Sequence, residues 1–131
     1  ADYAKKNREN VAKFLAVYLR GWSWAKAHPA EAKKMALAFY KEGGLEATPE
    51  AMDQEFKLRP VFSLDEQLKL MDRSKGPSEV DGWFSNIGKY MTSVNTLSSN
   101  PDPKSYITDK YMKMVAADPK LRAFATEFDK K

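Results

Sequence analysis

Cysteine is absent from these 131 residues, and histidine occurs once. The first absence removes disulfide scaffolds, cysteine zinc sites, iron–sulfur clusters and thiol catalysis together. It does not fix a compartment, because a secreted protein can lack disulfides. Long hydrophobic runs are also missing. Phe14 to Leu19, a run that none exceeds, falls far short of the ~20 residues needed to span a bilayer. Charge of one sign is scarce: Lys and Arg number 22 against 18 Asp and Glu, a net +4 with the signs interspersed. That pattern excludes the dense basic stripe of a nucleic-acid binder.

What the chain does have is a globular balance, with 43% apolar and 31% charged residues. A chain of this length buries about two-thirds of its unfolded surface, enough for one core, so residues 1–131 are read as a single domain. Aromatics reach 12%, ring area that must lie in a core or against a partner.

The periodicity is helical throughout. Val11, Phe14, Leu15, Tyr18, Trp22 and Ala25 follow the i, i+3, i+4, i+7 spacing of one helical face. Leu19 widens that face on one side, and Val17 and Trp24 on the other. The arc reaches roughly 220°, against the ~100° stripe of a surface helix. Glu9, Lys13, Arg20 and Ser23 share the remainder. The first helix is therefore expected to lie between two partners.

Proline at the first helical position, where its missing N–H costs nothing, marks later starts at Pro29, Pro49 and Pro119. Gly43-Gly44 stops the second helix. Ser63 and Glu66 have the spacing of a capping box. Trp83, Phe84, Ile87, Met91 and Val94 line one face of a long fifth helix, which is expected to be buried, as is Trp22. Helices are predicted near 7–27, 29–42, 49–58, 63–74, 78–97, 108–117 and 119–129, with 98–103 as a loop. No stretch alternates convincingly with period two, so the fold class is all-α, with six to seven helices.

Motifs for chemistry are missing. His28 precedes Pro29 at a helix boundary and has no nucleophile motif beside it. Asp65-Glu66 falls in a first helical turn, where the macrodipole favours acids. There is no G-x-G-x-x-G, Walker loop, H-E-x-x-H or EF-hand. Trp22 and Trp24, two apart, point to different sides and form no single stacking platform. Tyr3, Lys5, Lys6, Tyr18 and Arg20 are too spread and too diluted by acids to track a single strand. No catalytic residue, metal ligand or cofactor site is expected.

The run Asn7-Arg8-Glu9-Asn10-Val11-Ala12-Lys13-Phe14-Leu15, continued by Tyr18-Leu19-Arg20-Gly21-Trp22-Ser23-Trp24-Ala25-Lys26-Ala27-His28-Pro29-Ala30-Glu31-Ala32, resembles a known segment. It is similar to the late part of periplasmic substrate-binding proteins of nitrate/sulfonate/taurine-type ABC transporters, which are related to thiamine-precursor binders. Gly82-Trp83-Phe84 and Pro101-Asp102-Pro103, followed by Tyr106-Ile107-Thr108-Asp109-Lys110-Tyr111, agree with that family's helical C-terminal part.

The resemblance implies a C-terminal helical portion of a two-lobe α/β receptor more than twice this length. It implies a periplasmic, non-enzymatic protein that takes a small anionic solute to a permease. The charged Ala1–Lys6 segment has no apolar h-region, which on this reading means a leader removed or a start inside a longer product. Ligand in such receptors lies between strand ends, which this chain lacks, so no ligand contact is transferred. Two other readings are a free-standing helical interaction domain and a thiamine-pyrimidine synthase. Against the synthase stand the missing cysteine and the lone histidine. If the first helix keeps an uncovered flank at Val17 and Trp24, the chain is expected to self-associate.

Overall fold

The structure, a computed structural model, describes residues 2–129. These described residues hold eight α-helices: α1 Asp2–Lys6, α2 Arg8–Ala27, α3 Pro29–Glu42, α4 Pro49–Leu58, α5 Leu64–Leu70, α6 Glu79–Ser93, α7 Lys110–Ala117 and α8 Pro119–Ala125. One turn of 3-10 helix, Pro103–Ser105, lies in the stretch before α7. No strand occurs among the described residues. The all-α expectation holds, with α1 added: Asn7 turns the chain out of helical geometry, and its Nδ2 donates to the Tyr3 carbonyl at 3.0 Å.

Starts follow local chemistry. Thr48 accepts from the Ala51 N–H, and Asp118 from the N–H groups of Lys120 and Leu121. Ser63 and Glu66 close the capping box, satisfying donors that a helix start leaves orphaned. The ends at Ala27, Glu42, Leu58 and Ala117 fall where the sequence predicts them, and those of α5, α6 and α8 come earlier. The fifth long helix stops at Ser93 and not near 97, because Asn95 takes a left-handed φ of 58°. The N–H groups of Asn95 and Thr96 then close on the carbonyls of Thr92 and Met91. That is a Schellman stop, with asparagine where glycine is commoner. Helix α5 ends at Leu70, where Asp72 turns back to accept from the N–H and hydroxyl of Ser74. Helix α7 begins at Lys110, whose N–H meets the Thr108 hydroxyl. The last helix ends at Ala125, where the Thr126 hydroxyl donates to the Arg122 carbonyl.

The core is compact and built of small residues. Ala12, Ala16 and Leu19 of α2 meet Leu64, Val115 and Ala125, with Leu15, Leu68, Met112 and Leu121 packed around them. Helix α2 is the hub, packed on α7 and α8 along one side and on α3 near its end. Its buried side is centred about 120° from the face that the apolar spacing picks out. Ser23, expected among the polar residues, is buried, whereas Phe14 is 68% and Val17 59% exposed. The reason is steric: alanines let two helix axes approach closely, and bulky rings do not.

The expectation for α6 fails as well. Phe84 is 41% exposed, Trp83 and Ile87 more so, and Trp22 is half-buried. Helix α6 buries Asp81 and Gly88 instead. A Cβ at Gly88 would stand 1.9 Å from Asn100 Oδ1, so the glycine admits the Asn100 side chain. From there Asn100 Nδ2 donates to the Ser85 carbonyl at 3.0 Å.

Candidate ligand groove

Proline at 29 breaks the chain between α2 and α3, and His28 fastens the joint. Its backbone N–H donates to the Trp24 carbonyl at 2.9 Å, and its Nδ1 reaches the same oxygen at 3.1 Å. A carbonyl only accepts, so the proton sits on Nδ1. The imidazole stacks on Trp24 with centroids 5.2 Å apart and meets Phe128 edge-on at 5.7 Å. The lone histidine is a boundary residue, as expected. Trp24 is thereby covered and is not part of a bare flank.

Turning at His28 brings α3 and α4 beside the last turns of α2. Gly43 caps α3, and Gly44, at φ 77°, starts the reversal. Between the three helices lies a groove of about 510 Å³. Trp22 and Ala25 from α2, Phe56 from α4, and Val61 give it an apolar floor, and the exposed Phe39 of α3 stands at its edge. Two ion pairs cross its rim: Lys33 with Asp53, joining α3 to α4, and Arg59 with Glu55. Tyr40 donates its hydroxyl to Glu55 at 3.4 Å. The Arg59 guanidinium lies 5.7 Å from the Trp22 ring centroid, over the ring face. Trp22 thus faces the groove and Trp24 the histidine, so the two tryptophans form no common platform.

A second polar centre ties α6 to the loop ahead of it. Arg73 grips Asp81 through Nε at 2.7 Å and Nη2 at 2.6 Å, and Nη2 also reaches the Ile107 carbonyl at 3.2 Å. Asp81 accepts from the Ser78 N–H at 2.9 Å and gives its own N–H to the Ser78 hydroxyl at 3.1 Å. The Arg73 hydrogen bond holds the Asp81 carboxyl well below the usual carboxylate range, and Ser78 lowers it further. Both oxygens of this carboxylate are engaged, so it is a clamp and not a base. The S-x-x-D spacing of Ser78 and Asp81 is a cap signal missed in reading the sequence, and nothing in the sequence points to Arg73.

The first-turn acids are likewise occupied. Asp65 takes both its bonds from Arg122, at 2.6 and 2.7 Å. The Ser63 backbone N–H, and then its hydroxyl, lower the Glu66 carboxyl. Among the described residues no cluster of acids and histidine has metal-binding spacing, and no helix is long and apolar enough to cross a membrane.

A model of the family described as NMT1/THI5 like matches residues 1–32, which hold the first two helices and the opening turn of the third. That match covers the W-x-W-A phrase and ends at Ala32. It supports a link to a related binding-protein family over this segment. No curated protein and no solved structure matches the chain.

Proposed function

We propose that this chain is the helical part of the solute-binding component of an ABC import system. On this reading the protein works in the periplasm, captures a small anionic solute of the sulfonate, nitrate or thiamine-precursor kind, and passes it to a permease. It performs no covalent chemistry; the work is hinge closure around the ligand. One observation carries the proposal. The helix inside the matched segment is apolar on two sides, and one side, with Phe14, Val17 and Tyr18, stands largely exposed. A helix of this kind fits between this helical cluster and a further layer of a larger protein. Alone, the chain is expected to self-associate through that same side.

The test joins two measurements on the native polypeptide isolated from its source. Intact mass is expected to exceed twice the 14.9 kDa of this chain. Calorimetry is expected to show micromolar-order binding of taurine, an alkanesulfonate, nitrate or a thiamine precursor by that polypeptide, and none by this chain alone. A native mass equal to this chain, with no binding of any of these, overturns the proposal. A free-standing helical interaction domain would then take its place.

A further inference from the structure

We infer that the groove between α2, α3 and α4 is a binding site for a small planar aromatic anion, a carboxylate or sulfonate on a fused ring. This does not rest on the receptor reading, which places its solute elsewhere. Volume comes first: about 510 Å³ falls within the ~300–1,000 Å³ range of small-molecule pockets. The floor is next, since Trp22 and Phe56 offer ring surface to a flat apolar body.

The rim then selects the charge. Four cations, Lys26, Lys33, Lys57 and Arg59, face two carboxylates, Asp53 and Glu55. Lys33 and Arg59 are each paired with one of those carboxylates, while Lys26 and Lys57 form no salt bridge among the described residues. Among the described residues Arg59 uses only Nη2, toward Glu55, so Nε and Nη1 remain open to donate. Its guanidinium already lies over the Trp22 face. An anionic group on a ring lying against Trp22 would therefore come within reach of two unused donor nitrogens. A cation meets net repulsion there, and a neutral ring forgoes the charge-assisted bonds.

The probes are 2-naphthoate and its neutral analogue 2-naphthalenemethanol, titrated into protein with labelled indole N–H groups. The three tryptophans give three separate reporters. The Trp22 signal is expected to move saturably with naphthoate, while Trp83 stays still. Naphthoate should bind about tenfold or more tightly than the alcohol, the worth of a charge-assisted hydrogen bond. Arg59→Ala should abolish that preference, and Lys57→Ala should reduce it. Should Arg59→Ala disturb the indole spectrum before ligand is added, the exposed Lys57→Ala variant decides alone. Equal affinity for the two probes, a Trp22 signal that does not move, or a preference unchanged by whichever variant decides, each overturns the inference.

Discussion

Ser23 carries a buried hydroxyl in among Leu19, Val61, Phe62 and Leu64, and its Oγ has no hydrogen-bond partner among the described residues. A buried polar group without a partner costs more than an apolar atom of like size. Ser23→Ala should therefore stabilise the fold by about 1 kcal/mol, read as a higher urea midpoint; an unchanged midpoint would mean that water serves the hydroxyl. Asp81, 3% exposed and held by Arg73, behaves oppositely. Asp81→Asn should destabilise by about 3 kcal/mol, since it leaves the Arg73 charge without its counterion. The pH dependence has a definite sign. The folded carboxyl lies below its ordinary value, so its stabilisation is complete above about pH 4 and drains away as the pH falls further. Denaturation midpoints taken from neutral to acid pH should fall steeply in the parent and less so in Asp81→Asn. Parallel acid limbs would remove Asp81 from the account.

Among the elements, α6 is the loosely held one. It touches the rest of the fold mainly through the 3-10 turn, the Asn100 clasp, the Arg73 grip and the Phe62–Trp83 ring pair. Phe84→Ala should cost only about 1 kcal/mol, the value of its edge-on pair with Tyr106 and not of a core ring. Amide exchange in α6 should be faster than in the middle of α2, and equal protection would show that α6 is fastened more tightly than its contacts indicate. Helix starts could be read from the sequence because a cap is a matter of four neighbouring residues. The α6 stop depends on Asn95 adopting a left-handed backbone, which residue type permits and does not require. The buried side of α2 was illegible for a different reason. Periodicity weighs apolar bulk, so Phe14 and Tyr18 outvoted Ala12 and Ala16, although smallness is what brings helices together. In the groove the Glu55 and Arg59 spacing is local, but the approach of Arg59 to Trp22 depends on the α3–α4 reversal.

At the scale of the whole molecule, much apolar surface faces outward. Phe14, Val17 and Tyr18 on α2, and Trp83, Ile87 and Tyr90 on α6, all stand clear of the core. Soluble monomers seldom leave patches beyond a few hundred Å² bare. Sedimentation equilibrium of this chain should show mass rising with concentration, and the double variant Val17→Glu, Tyr18→Glu should bring it back toward monomer. A parent that stays monomeric up to millimolar concentration would remove self-association as the fate of that surface. The hub position of α2 also bears on synthesis. Its small buried face, Ala12, Ala16 and Leu19, is covered by Val115 and Ala125, near the other end of the described chain. A ribosome adding about 5–20 residues per second therefore releases α2 on the order of ten seconds before its covering helices exist. Throughout that interval the nascent helix has both its small face and its bulkier apolar face uncovered, which makes it a natural client for a chaperone that holds chains as they emerge.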